Sequence, residues 1–191
     1  MLIGLYFGSF NPVHLGHIQI ARAMYYAAGF DELWFVVSPQ NPLKAADELA
    51  PEQNRVEMLR LAIAKLDFAA KVCDIELALP KPSYTYKTLE ELILQYPQHK
   101  FALVMGSDNL ASIELWKRYE EIIQQFPIYF YPRQNDSSRV LAKRYGATLV
   151  EAELLDYSST AIRMKVARGE DLAELVGEEV ASYITVNKLY R

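Results

Sequence analysis

The sequence predicts an α/β fold with a doubly wound, mostly parallel sheet and helices on both faces. Three observations predict it. Short, nearly continuous apolar runs recur along the chain, as expected of strands buried on both sides. Segments with apolar residues at helical spacing separate those runs. Glycine- and proline-containing turns punctuate the boundaries. Strands alternating with helices favour parallel pairing through right-handed crossovers, which is a Rossmann-like arrangement.

Taken in order, Leu2-Ile3-Gly4-Leu5-Tyr6-Phe7 runs into Gly8-Ser9 and reads as the first strand. Ile18, Ala21, Met24 and Tyr25 place a helix from Leu15 to Ala28, with Gly29 as its stop. Leu33 to Val37 is the second strand, closed by Ser38-Pro39-Gln40-Asn41-Pro42. A second helix carries Pro51 in its first turn and continues through Val56, Leu59, Ile63 and Leu66. A short strand is expected from Val72 to Leu77, burying Cys73. After Pro80-Lys81-Pro82-Ser83 come a helix from Thr88 to Tyr96 and a strand from Phe101 to Met105 that stops at Gly106. Further strands are expected at Ile128 to Tyr131 and Thr148 to Val150, and helices at Tyr119 to Gln125, Val140 to Tyr145, Thr160 to Arg168 and Gly177 to Asn187.

The 191 residues suit one domain, 1-191, and 51% hydrophobic with 23% charged residues is an ordinary globular composition. A net charge of -4 and the lack of a Lys/Arg stripe argue against a nucleic-acid partner, although a small nucleotide needs only a few placed donors. The single cysteine excludes an intrachain disulfide and a cysteine-rich zinc site, and suits a reducing compartment. With no apolar run long enough to span a bilayer, no membrane association is expected and the reading is cytoplasmic. A homo-oligomer is compatible with the sequence.

Ligands of such sheets lie beyond the carboxyl ends of the strands. There, Gly8-Ser9-Phe10-Asn11-Pro12-Val13-His14-Leu15-Gly16-His17 joins the first strand to the first helix. Glycine permits close backbone approach, and helix N-terminal amides favour an anion. His14 and His17 are three residues apart and can share one helical face toward a polyphosphate, with Gly16 leaving room between them. The competing reading makes His14 a helix cap and His17 a surface residue.

The segment from Gly8 to His17 resembles the signature of the nucleotidyltransferase superfamily with the HxGH motif. Pro82-Ser83-Tyr84-Thr85-Tyr86-Lys87-Thr88-Leu89, Gly106-Ser107-Asp108 with Trp116, and Ser158-Ser159-Thr160-Ala161-Ile162-Arg163 are similar to bacterial nicotinate-nucleotide adenylyltransferases, as is the closing segment from Val180 to Tyr190. The resemblance spans the chain. It implies adenylyl transfer from ATP to nicotinic acid mononucleotide, yielding deamido-NAD and pyrophosphate, with Mg²⁺ held mainly by the ATP phosphates.

The resemblance also implies residue roles. His14, His17 and Arg163 would be catalytic. Gly8, Ser9, Phe10, His14, His17, Gly106, Asp108, Ser158, Ser159 and Arg163 would bind ATP, with a C-terminal helical segment from about 159 completing that site. Lys44, Thr85, Tyr86, Asp108 and Trp116 would bind the acceptor, Trp116 by stacking on the pyridine ring. Chemistry alone leaves other readings: a core-edge Trp116, a capping Asp108, Thr85 or Ser158, and a solvated Lys44. Two departures stand out. Leu43 replaces the family's usual histidine before Lys44, and Ser107 replaces the commoner alanine. Rival acceptors are nicotinamide mononucleotide and phosphopantetheine; a non-catalytic nucleotide-binding regulator and a fragment of an aminoacyl-tRNA synthetase are the remaining alternatives.

Overall fold

The computed structural model describes residues 1–39, 49–133, 138–152, 155 and 157–191. Lys44 and the Leu43 replacement lie outside them, as does most of the Ser38 to Leu49 loop.

The elements follow in the order β1 (Leu2–Gly8), α1 (Leu15–Ala28), β2 (Glu32–Val37), α2 (Glu52–Ile63), β3 (Ala70–Cys73), α3 (Ile75–Ala78), α4 (Thr85–Gln95), β4 (Lys100–Gly106) and α5 (Ser107–Ala111). A 3-10 turn at Ile113–Leu115 precedes α6 (Tyr119–Gln125), β5 (Ile128–Tyr131), α7 (Ser138–Tyr145), β6 (Thr148–Leu149), α8 (Ser159–Ala167), α9 (Ala173–Val176) and α10 (Glu178–Val186). All six strands pair in parallel, in the order β3-β2-β1-β4-β5-β6. This is the doubly wound arrangement. The direction of winding reverses between β1 and β4, which opens a crevice at their carboxyl ends.

Strand alternation sorts the core into two layers. Tyr6, Leu33, Phe35, Val37 and Val104 face one way and meet Ile18, Ala21 and Met24 of α1, Val56, Met58 and Leu59 of α2, and Ile162, Val176, Val180 and Ile184 from the C-terminal helices. Ile3, Leu5, Trp34, Val36, Leu103 and Met105 face the other way, onto Leu89 and Leu92 of α4, Leu110 of α5, Ile122 of α6 and Leu141 of α7. Residues 159 onward thus share the core of the sheet's first face.

Three expected elements differ. The strand expected from Val72 to Leu77 ends at Cys73, and Ile75–Ala78 turns into a short helix because Glu76 points inward to hydrogen-bond Ser83 and Thr88. The helix expected from Thr88 begins at Thr85, capped by Tyr84. Thr85 is therefore a first-turn residue and not the cap. Pro51 likewise sits at the cap position of α2, just outside the helix.

Candidate active site

The site grows from the turn after β1. Gly8 ends that strand, and a Cβ there would come within 2.8 Å of the Phe10 ring. Phe10 takes a left-handed backbone (φ 45) and buries its ring against Tyr6, Phe35 and His17. Such a backbone costs a non-glycine residue about 1 kcal/mol, which ring burial offsets. The Phe10 side chain is therefore committed to the core.

His14 occupies the cap position of α1, as the competing reading had it, and His17 lies in the first turn. The two imidazoles lie against each other with planes tilted by 32° and centroids 3.7 Å apart. The His14 N–H donates to Nδ1 of His17 at 3.2 Å. That bond requires an unprotonated Nδ1 and puts the proton of neutral His17 on Nε2, the atom left to donate outward. Buried Nδ1 of His14 has no partner among the described residues. Burial, helped by the Arg133 guanidinium, pulls the His14 pKa down to about 4. His17 is also held well below the usual histidine range, by burial first and then by His14 and Arg133. The pair is neutral at neutral pH. A Cβ on Gly16 would sit 3.0 Å from Nδ1 of His14, so this glycine makes room for the His14 ring.

Across the crevice, Gly106 ends β4 and Asp108 opens α5. A Cβ on Gly106 would lie 2.3 Å from Oδ1 of Asp108 and 3.0 Å from Nε of Arg133, so any side chain there would displace these two charged groups. Asp108 is half-exposed and pairs with Arg133 at 3.5 Å.

Arg133, just beyond β5, escaped the sequence reading. Its Nη2 donates to the Tyr131 hydroxyl at 3.0 Å, and that oxygen lies 3.4 Å from the Tyr6 hydroxyl. Its backbone N–H donates to Oγ of Ser107 at 2.9 Å. The hydroxyl that distinguishes Ser107 from the commoner alanine thus ties the ends of β4 and β5 together. The available signal was position alone: Tyr131-Pro132-Arg133 puts a cation at the carboxyl end of a strand.

The start of α8 closes over the same turn. Ser158 is its N-cap, accepting from the Ala161 N–H at 3.1 Å, so the capping role expected as the bland alternative is real. Ser159 donates to the Pro12 carbonyl at 3.0 Å, and Arg163 Nη1 to the Asn11 carbonyl at 3.0 Å. Arg163 is thereby anchored beside the histidine turn.

Thr85, Tyr86 and Trp116 form a second group on the other face of the sheet. Tyr86 stacks on Tyr84, Lys117 lies 3.9 Å from the Tyr84 ring centre, and Arg118 lies 4.9 Å from that of Tyr86. These cation–π contacts bind the start of α4 to the segment carrying Trp116. Trp116 itself is half-buried against that face's core, leaving part of its ring uncovered.

A cavity of about 460 Å³ lies elsewhere, beside β3, lined among others by Lys71, Cys73, Asp74 and Tyr96. The candidate site is recognised by its chemistry and its place in the fold. Among the described residues no group of three or more His, Cys, Asp or Glu side chains could hold a metal ion, and no helix is long and apolar enough to cross a membrane.

Comparison with known proteins agrees with this geometry. The pattern of the cytidylyltransferase-like family matches residues 5–165. A protein of Cytophaga hutchinsonii described as a "probable nicotinate-nucleotide adenylyltransferase" is 43% identical over 190 residues, covering 100% of this chain and 98% of that one. A Flavobacterium johnsoniae protein with the same description is 41% identical over the full length of both. In fold, the chain is similar to the Plasmodium falciparum nicotinic acid mononucleotide adenylyltransferase solved in complex with NaAD, with a TM-score of 0.82, 19% identity, and coverage of 99% of this chain and 97% of that one. Matched from end to end by relatives of that description, the chain belongs to the cytidylyltransferase-like family and, within it, to the nicotinate-nucleotide adenylyltransferases.

Proposed function

We propose that this chain transfers the adenylyl group of ATP to nicotinic acid mononucleotide, giving deamido-NAD and pyrophosphate as a step of NAD biosynthesis. The observation that carries the reading is the pair of buried neutral imidazoles at the start of α1, with Arg133 facing them. Burial without a counter-anion is what depresses their pKa; a polyphosphate would supply that anion and make their N–H groups strong donors.

In this reading an oxygen of the acceptor's phosphate attacks the α-phosphorus of ATP. The bond from that phosphorus to the oxygen bridging to the β-phosphate breaks, and pyrophosphate leaves with the electron pair. Such a reaction needs alignment and charge stabilisation more than a protein nucleophile. The main chain from Gly8 through Ser9 to Phe10, together with His14, holds the α-phosphate region, while His17 and Arg163 hold the departing pyrophosphate. Arg133 adds a second guanidinium whose direction Tyr131 and Asp108 set. Gly106 and Asp108 serve the nucleotide, Ser158 and Ser159 fix the start of α8, and Thr85, Tyr86 and Trp116 receive the nicotinate end with Lys44 on the acceptor phosphate. Mg²⁺ would be held mainly by the ATP phosphates and would supply charge neutralisation there, without a carboxylate cage from the protein. We place the reaction in the cytoplasm.

ATP labelled at the α-phosphate tests the reading. With nicotinic acid mononucleotide present, label should enter a dinucleotide while pyrophosphate appears in equal amount. Release of label as AMP, or no reaction with this acceptor while phosphopantetheine is adenylylated, would refute it.

A further inference from the structure

A charged side chain occupies the centre of the α2 face where packing calls for an aliphatic one. Arg55 shares that face with Met58 and Leu59 and is completely buried. Among the described residues its guanidinium meets no carboxylate. It donates instead to four main-chain carbonyls: Nη1 to Ser9 at 2.6 Å and Ser38 at 2.8 Å, Nε to Ala50 at 3.2 Å, and Nη2 to Pro39 at 3.3 Å. These belong to the turn after β1, the segment after β2 and the residue before Pro51. An apolar side chain of like size would fill the space without the cost of desolvating a cation, so packing does not explain the arginine.

What the four bonds achieve is orientation. The C=O and N–H of a trans peptide point to opposite sides, so fixing the Ser9 oxygen also fixes the direction of the Phe10 N–H. Ser38 is held twice, its carbonyl by Arg55 and its side chain by buried Glu76. Glu76 also accepts from Ser83 at 3.2 Å and from Thr88 at 2.7 Å, the residues that flank Thr85 and Tyr86. One connected path therefore runs from the turn after β1, through Arg55, Ser38 and Glu76, to the start of α4.

Resting on the reading of Gly8 to Phe10 as the phosphate turn and of Thr85, Tyr86 and Trp116 as the acceptor side, we propose that Arg55 is a positioning residue that keeps these two half-sites in mutual register for in-line transfer. It touches neither substrate. Its planar fork of five donors reaches carbonyls in three directions, which a lysine cannot do.

Two variants test this, Arg55→Met and Arg55→Lys, each assayed well below its melting midpoint with folding checked by circular dichroism. In the folded Met variant kcat/KM should fall about 100-fold, with KM raised about five-fold or more for both ATP and nicotinic acid mononucleotide, because alignment of both substrates is what is lost. The Lys variant, with charge but no fork, should fall about ten-fold or more. Wild-type kcat and both KM values in folded variants that merely melt earlier would overturn the proposal. If the Met variant does not fold, the Lys variant decides by the same criterion. If neither folds, Ser38→Ala decides: it cuts only the tie to Glu76, so the acceptor KM should rise about five-fold, and unchanged parameters would overturn the coupling. A wild-type protein inert with ATP and this acceptor would instead refute the proposed function, independently of Arg55.

Discussion

Acidifying the protein from about pH 7 to about pH 5 should remove on the order of 2 kcal/mol of folding stability through His14 alone. In the unfolded chain this imidazole titrates at its ordinary 6.5; in the folded chain burial, then Arg133, pulls it down to about 4. Between those values the unfolded chain binds the proton and the folded chain does not. Stability is therefore fully present above the unfolded value and is lost as pH falls toward the folded one. Each pH unit inside that window is worth about 1.4 kcal/mol, and most of the interval from about pH 7 to about pH 5 lies within it. His17, shifted in the same direction, steepens the slope. Glu76, raised by burial, acts in the opposite sense, but it is common to wild type and to a His14→Gln variant and cancels between them. Glu121, Glu170 and Glu179, lowered by their ion pairs, are likewise common to both proteins and cancel. Urea unfolding followed by tryptophan fluorescence at both pH values measures the difference. Wild type should lose about 2 kcal/mol more than His14→Gln. Equal losses would show that His14 is not buried as a neutral base, and the electrostatic reading of the phosphate turn would fall with it.

Other substitutions separate the parts of the site. His17→Ala should lower kcat at least about 100-fold in pyrophosphate-release assays with little change in acceptor KM, since Nε2 serves the phosphates; a change confined to KM would reassign it. Trp116→Ala should raise KM for the acceptor about ten-fold and leave KM for ATP alone, and equal effects on both would place Trp116 in the core only. Ser107→Ala should cost about 1 kcal/mol, the worth of the bond from the Arg133 N–H, read as a lower urea midpoint. Gly106→Ala should abolish activity in a folded protein, because its Cβ would collide with Asp108; wild-type turnover would show that the Asp108–Arg133 pair is dispensable.

Which features were readable in advance follows from the range of the forces that set them. The run from Leu2 to Phe7 and the helix from Leu15 to Ala28 were readable because burial pattern and a left-handed Gly29 (φ 63) are local signals. Ile75–Ala78 was not: Ile75, Glu76 and Leu77 alternate like a strand, and what turns them is a contact from Glu76 to residues later in the chain. Arg133 was invisible to motif reading because its importance comes from β5 lying beside β4, a tertiary fact. Arg55 left a trace, since it stands in helical register with Met58 and Leu59 on the inward face, a place where a cation signals a buried task. Gly16 stands out in the sequence between the two histidines, but its closeness to the His14 ring is seen only in the folded turn.

The central claim is the identity of the acceptor, and it is tested most directly by comparing kcat/KM for nicotinic acid mononucleotide and nicotinamide mononucleotide at saturating ATP and Mg²⁺. A site built to recognise the acid's carboxylate should favour the former by about 100-fold or more. Equal efficiency with the two, or a preference for the amide, would contradict the account.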